Sequence, residues 1–356
     1  MTTHFAYEAT GPRLPADAMR AFGAQLLQTA GATADDAAWV AETLVDADLR
    51  GVHSHGIRLT EYYVRSIERG GLRTRYDIRE IGSGPGYVAY DGDHAPGQVA
   101  ARLAMRRAIA IAKVHGVGTT TVRNAGHFGA AAYWALMAAA EGCVGYCTSN
   151  MPSAIVLAYG SAEGATGNTP LAWAFPTRDT PRVVLDMACG VAAHGRVAVA
   201  GTGGQRLPDG VGADRDGRMT NDPSNVKFVY PAGGPKGYAL SIVHDLLAGA
   251  LSGGAPTLLK PEGGPDQLIR GSQFHLAIDV RWIVPLADFT AEMDAQVRAV
   301  NALPPAEGFT SVSMPGQLEE ERKVDRLAHG IPYPPGLLAA IEPLAGRLGV
   351  AIPWQA

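Results

Sequence analysis

The chain has 356 residues, 47% of them hydrophobic and 18% charged, and a net charge of −4, so it can bury a sizeable core in two or three lobes. The mild acidity and the lack of lysine/arginine runs disfavour a nucleic-acid partner, and no apolar run reaches the ~18 residues of a membrane helix. MTTHFAYEATGPRLP has neither the basic nor the apolar region of a secretory signal, and Cys143, Cys147 and Cys189 cannot build a disulfide framework; the expectation is a cytoplasmic globular protein with three small buried thiols.

The first 70 residues read as helices. LPADAMRAFGAQLLQTAG places Met19, Phe22, Leu26 and Leu27 on one face and stops at Gly31. TADDAAWVAETLVDADLRG opens on Thr33 with acids in its first turn, an N-terminal signature. A third helix is expected from about Ile57 to Arg69, before Gly70-Gly71.

The texture changes near Tyr76. YDIREIGSGPGYVAYDGDH predicts short strands, GQVAARLAMRRAIAIAKVHG a helix ended by Gly116, VGTTTVRN a strand, and HFGAAAYWALMAAAEG a small-residue helix ended by Gly142. CVGYCTSN and RVVLDMA predict two more strands, the second buried because its apolar run is continuous. NVKFVYPAGGPKGYALSIVHDLLAGALSGG predicts a strand, a glycine turn and a long apolar helix. SQFHLAIDV reads as a strand, and LADFTAEMDAQVRAVNAL and YPPGLLAAIEPLAGRLGV as helices. There is no internal repeat. The fold class is a mixed α/β (α+β) body between helical ends that pack together as one lobe.

Neither GSGPGY nor GTGGQR has GxGxxG spacing, and GxxxxGK[ST] is missing, so a Rossmann or P-loop site is disfavoured. HExxH, CxxC and GxSxG are missing too.

Four places could carry chemistry. In DLRGVHSHGIRL, His53 and His55 would share a face on a strand and chelate a metal, but no cysteine or carboxylate cluster completes the shell. The following helix N-terminus suits an anion, with Arg58 in its first turn and Ser54 and His55 beside the bound carboxylate; a Ser N-cap with a solvated histidine is the plain alternative. His127 lies between a strand end and a helix start, flanked by Gly126 and Gly129, where a ligand can approach the backbone; it could instead pack over its own helix. Asp186 ends a strand and could orient a histidine, bind a ribose hydroxyl, or cap the next turn. Lys236 sits in a glycine-rich turn opening a helix, an arrangement suited to phosphate. His244 reads as a core histidine; His4, His94, His115, His194, His275 and His329 have no supporting constellation, and SMPGQLEEERK is an uninformative loop.

ADLRGVHSHGIRLTEYYVRSIERGG, RNAGHFGAAAYWA, GNTPLAWAFP, LDMA, GGPKGYALSIVHDLLAGALSG, FHLAIDV and MPGQ, in this order, resemble the malate/L-lactate dehydrogenase family, which also holds sulfolactate and ureidoglycolate dehydrogenases and Δ1-piperideine-2-carboxylate reductases. The resemblance runs from about Arg20 to His329. It implies a non-Rossmann nicotinamide-binding fold of the L-sulfolactate/malate dehydrogenase-like type. A helical substrate and dimerisation lobe would span residues 1–75 with 310–356, and an NAD(P)-binding β-rich lobe residues 76–309. It also implies a homodimer, NAD or NADP as cofactor, and hydride transfer to or from a small 2-oxo/2-hydroxy carboxylic acid. Cyclic imino acids are the alternative substrate, and a dinucleotide-binding protein without turnover the non-enzyme alternative. By the same resemblance His127 is the proton acceptor, Ser54 and His55 are a proton relay with Asp186, and Thr148, Asn150, Met151, Asp186, Met187, Ala188 and Lys236 meet the cofactor. The chain departs from the family pattern twice. Leu59 stands where an arginine is frequent, leaving Arg58 and Tyr62 as substrate-binding candidates, and HSHG replaces the frequent DSHG, which tilts the reading toward an open-chain substrate.

Overall fold

The computed structural model describes residues 11–202, 204–261 and 267–355. His4 lies outside them. The chain opens with a short strand β1 (Arg13–Leu14) and helices α1 (Ala16–Thr29) and α2 (Ala34–Leu49). Thr33 caps α2 by accepting the Asp36 N–H, satisfying one of the donors a helix start leaves free. A 3-10 turn at His53–His55, a second at Ile57–Leu59, and α3 (Thr60–Glu68) follow.

The helical ends share one core. Met19, Phe22, Leu26, Leu44, Leu49, Ile57 and Tyr63 pack with Ile331, Tyr333, Leu338, Ile341 and Leu344 of the C-terminal segment. That segment holds α9 (Gln317–His329), β14 (Ile331–Pro332) and α10 (Pro335–Leu348). β14 pairs antiparallel with β1, and Arg347 bridges Glu68 of α3 at 2.6 Å.

Between the helical ends lies a mixed seven-stranded sheet in the order β2-β3-β4-β13-β5-β8-β9. Its strands are β2 (Arg79–Gly84), β3 (Tyr87–Asp91), β4 (Val117–Ala125), β5 (Cys143–Asn150), β8 (Leu171–Phe175), β9 (Val183–Met187) and β13 (Gly271–Asp279). Only the β3–β4 pair is parallel; the other neighbours run antiparallel. A doubly wound dinucleotide fold would be parallel throughout. Helices α4 (Gly97–His115) and α5 (Ala131–Ala140) cover one face, with Thr120 donating to the Ala104 carbonyl and Cys147 to that of Ala131. Helix α7 (Pro235–Asp245) lies over the other face, its His244 ring 6.0 Å from that of Tyr146.

A smaller five-stranded sheet, β11-β10-β12-β6-β7, stands beside the first. It contains β6 (Val156–Leu157), β7 (Gly164–Thr166), β10 (Gly212–Ala213), β11 (Met219–Thr220) and β12 (Phe228–Val229). Helix α6 (His194–Thr202) packs Val197 and Ala200 against its Val156 and Val229. Helix α8 (Leu286–Asn301) closes the β-rich part, where buried Asp294 accepts the Arg178, Asp179 and Thr180 N–H groups.

RVVLDMA differs from expectation. β9 is an edge strand, with Leu185 37% exposed. An apolar run reports hydrophobicity but not how many neighbours a strand has. The edge is covered by the MPGQ loop, since Val184 N–H donates to the Pro315 carbonyl at 2.9 Å. No helix among the described residues is long and apolar enough to cross a membrane.

Candidate active site

The HSHG turn is built around a buried carboxylate. Asp48, at the end of α2, is fully buried. Its Oδ1 faces His53 Nδ1 at 2.7 Å, and its Oδ2 accepts the Ile57 N–H at 2.8 Å and the Tyr333 hydroxyl at 2.9 Å. A Cβ on Gly56 would stand 1.8 Å from Oδ1, so only glycine lets the turn close on this carboxylate. Arg326 approaches His53 Nε2 at 3.3 Å, and a guanidinium can only donate. Nε2 is thus the acceptor, and Nδ1 carries the hydrogen given to Asp48. His53 is structural.

Two expectations for this stretch change. The histidines lie on a 3-10 turn, not a strand, so residues two apart diverge: His53 turns inward to Asp48 and His55 toward His127. The helix start after Gly56 is not free for a ligand at Ile57, because Asp48 already holds that N–H. Ser54 does not cap a helix; its hydroxyl meets His55 Nδ1 at 3.0 Å. Among the described residues no group of three or more His, Cys, Asp or Glu is placed to hold a metal ion.

His127 faces His55 from the loop between β4 and α5. The loop between β4 and α5 presses on the start of α4, where a Cβ on Gly97 would lie 2.1 Å from the Gly126 carbonyl and 2.4 Å from that of His127. The His127 ring stacks on His55 with centroids 5.7 Å apart and planes at 25°, and Tyr62 meets its edge at 6.3 Å. Tyr63, buried in the helical core, sets its hydroxyl 2.8 Å from His127 Nδ1, and the Gly129 N–H donates to the same atom at 3.3 Å. A nitrogen that accepts an N–H carries no hydrogen. The neutral ring therefore bears its hydrogen on Nε2, which has no protein partner among the described residues.

Both rings keep some solvent contact while protein crowds them on most sides. Burial, then the Arg58 and Arg196 guanidiniums, push His55 down to about 4. Burial, then the His55 ring, takes His127 down to about 3. Two neutral imidazoles thus face each other at neutral pH. Burial also lowers the half-buried Arg58, whose Nη1 donates to the Ser54 carbonyl at 3.3 Å.

Asp186 goes elsewhere. Its Oδ2 accepts the Ala132 N–H at 3.0 Å in the first turn of α5, and no hydrogen bond joins it to His55 or His127. The residue is exposed on the edge strand, yet enough protein crowds its carboxyl that burial lifts it to about 6, against the Ala132 N–H. Met187 points to the opposite sheet face, where it packs with Tyr146, Leu171 and Cys189. Thr148, Leu171 and Met187 lie in one row across β5, β8 and β9. Ala188 follows at the turn, and the Ala232 N–H donates to the Cys189 carbonyl. The glycine turn before α7 therefore lies beside this row, and exposed Lys236 stands in the first turn of α7, after Gly233 and Gly234 with φ +65°.

The end of β5 holds buried oxygens with no hydrogen-bond partner among the described residues, Thr148 Oγ1 and Asn150 Oδ1, and nearby Asn168 Oδ1. Such atoms suit a ligand bearing hydroxyl and amide donors, and this donor demand fits a nicotinamide dinucleotide. The Asn150 amide nitrogen is already committed to Asp245 Oδ1 at 2.8 Å and the Ala255 carbonyl at 3.1 Å. Met151 links the two halves: a Cβ on Gly271 would meet its sulfur at 2.6 Å and the Ala125 and Gly126 carbonyls at 2.7 and 3.4 Å. The β5 end thus adjoins the loop bearing His127.

Sequence reasoning chose Tyr62 and passed over Tyr63, Asp48 and Arg196. A tyrosine pair on one helix gives no sign of which ring turns inward. Arg196 comes from a helix with no obvious chemistry, and only folding brings it to His55.

The malate/L-lactate dehydrogenase family model matches residues 14–342. The malate dehydrogenase of Pyrococcus horikoshii is 35% identical over 95% of this chain and 96% of its own. Its solved structure superposes with a TM-score of 0.87 over 96% of this chain and 97% of that one. The NAD(+) ureidoglycolate dehydrogenase of Escherichia coli K12 is 36% identical over 85% and 87% of the two chains. The structure of Δ1-piperideine-2-carboxylate reductase from Pseudomonas syringae is 26% identical, covering 94% of this chain and 100% of that one with a TM-score of 0.81. With the family model spanning both the helical ends and the sheet, the chain belongs to the malate/L-lactate dehydrogenase family.

Proposed function

We propose that the protein is an NAD(P)-dependent oxidoreductase acting on a small 2-oxo/2-hydroxy carboxylic acid of the malate, lactate or ureidoglycolate type, in the crevice between His55 and His127. A bound nicotinamide supplies or accepts the hydride at the substrate's C2. His127 carries the reading: its neutral ring offers Nε2–H to the C2 oxygen, while Tyr63 and Gly129 fix Nδ1. Arg58 and Tyr62 hold the substrate, and Ser54–His55 is the second proton route. Thr148, Met151, Asp186, Met187, Ala188 and Lys236 border the dinucleotide, with Asn150 bracing the strand end.

His127→Ala tests this. Turnover should fall on the order of 10²–10⁴-fold with NAD(P)H affinity nearly unchanged; equal loss of both would mark a structural histidine.

A second reading, reduction of cyclic imino acids such as Δ1-piperideine-2-carboxylate, is favoured by the Ser54–His55 contact and the likeness to the Pseudomonas reductase. Assays of pyruvate, oxaloacetate and Δ1-piperideine-2-carboxylate with both cofactors separate the two. Tight NAD(P)H binding without turnover of any of them would instead mark a binding protein.

We also infer a homodimer, with residues 1–75 and 310–356 as its substrate and dimerisation lobe. Exposed Leu318, Val324 and Leu327 on α9 supply apolar surface for a partner. A monomer in sedimentation at micromolar concentration would exclude this assembly. Three free, buried cysteines suit a reducing cytoplasm; finding the tagged protein in an oxidising compartment would count against it.

A further inference from the structure

Half-buried Arg20 and Arg123 and buried Arg50 each pair with a carboxylate: Glu42, Asp91 and Asp46. Arg58 does not. Its guanidinium donates to the Ser54 carbonyl and forms no ion pair among the described residues, nor does Arg196. The acids nearest Arg58 are already engaged, since Asp48 holds Ile57, Tyr333 and His53, and Glu61 pairs with Arg65 at 2.6 Å.

The first turn of α6 delivers the second cation. Gly195 lies against the HSHG turn, where a Cβ would stand 3.1 Å from Arg58 Nη1 and 3.2 Å from the Ser54 carbonyl. Arg196 is the next residue, exposed at the rim. Its charge and that of Arg58 are both felt at His55. Two positive charges thus converge beside the histidines, and neither forms an ion pair among the described residues; Asp48 and Glu61, the acids whose charge reaches Arg58, are both held by other partners. A single carboxylate would leave one of them uncompensated, whereas a substrate with two acidic groups matches both.

We propose that Arg196 is a specificity-determining residue that, together with Arg58, receives a substrate carrying a second anionic group, carboxylate or sulfonate, in preference to one with a single carboxylate. This rests on the dehydrogenase reading and deepens it. Arg58 holds the C1 carboxylate and Arg196 the distal acid.

The test compares kcat/KM for oxaloacetate and 3-sulfopyruvate, each with two acidic groups, and 2-oxobutanoate, with one. Wild type should favour the doubly charged acids at least roughly tenfold, and the better of the two names the distal group. Arg196→Gln should erase the preference by lowering the values for the dianions, leaving 2-oxobutanoate within about twofold. Arg196→Lys should restore most of it. No preference in wild type, or an equal fall for all three acids in Arg196→Gln, overturns the proposal. If no 2-oxo acid turns over with either cofactor, the dehydrogenase reading fails, and calorimetry with succinate and butyrate decides the pocket separately. Tighter succinate binding that Arg196→Gln abolishes supports it, and equal binding overturns it.

Discussion

Tyr63 presents its hydroxyl to Nδ1 of His127 across 2.8 Å, from within the helical core to the loop that opens α5. The contact crosses between the two halves of the molecule, so the imidazole is aimed by a residue it meets only after both have folded.

Tyr63→Phe should keep the fold, because the ring stays in its core cluster. It should lower kcat roughly tenfold by releasing Nδ1 and change KM little. Steady-state kinetics with a thermal melt reads both. A rise in KM with kcat unchanged would mean that Tyr63 touches substrate rather than aiming His127.

Gly56→Ala should be severe. The added methyl collides with the Asp48 carboxylate, which His53, the Ile57 N–H and the Tyr333 hydroxyl hold in place. A loss of about 3 kcal/mol or more is expected, read by urea denaturation. A melt within a degree of wild type would show that Asp48 can move aside.

His55 and His127 make the protein acid-sensitive with a definite sign. Both are held below the ordinary histidine value, at about 4 and about 3, so the unfolded chain binds more protons below the unfolded value. Their contribution is complete above about pH 6.5 and is lost as pH falls toward 3. Calorimetric melts from pH 7.5 to 4.5 should decline less steeply for the His55→Gln/His127→Gln double variant. Identical slopes would place the acid sensitivity elsewhere.

Asp186 has the opposite sign. Its carboxyl is raised to about 6, so the folded chain holds the extra proton, and the contribution present at low pH is lost as pH rises through 6. Asp186→Asn keeps an acceptor for the Ala132 N–H and should melt higher than wild type at pH 8, with the gap closing by pH 4.5. A lower melt at pH 8 would show that the charged form is needed for folding.

Much of this site was readable as sequence, for local reasons. His127 stood out because glycines flank it at a strand-to-helix passage, and Lys236 because its glycine turn opens a helix. Asp48 did not, since its partners lie 5, 9 and 285 residues away and DLRG reads as an ordinary helix end. The HSH pair stayed open between readings because spacing alone cannot separate a strand from a 3-10 turn. Arg58 was found from its place in the helix start, but the second cation comes from α6 and depends on how the small sheet stands beside the large one.

Tyr333 has a consequence for how the protein is made. Its hydroxyl completes the Asp48 cluster, and β14 beside it pairs with β1. On the ribosome, the early helices must therefore wait until almost all of the polypeptide has been translated before the turn bearing Ser54 and His55 can lock. Nascent chains stalled before Tyr333 emerges would carry a finished sheet and an inert crevice.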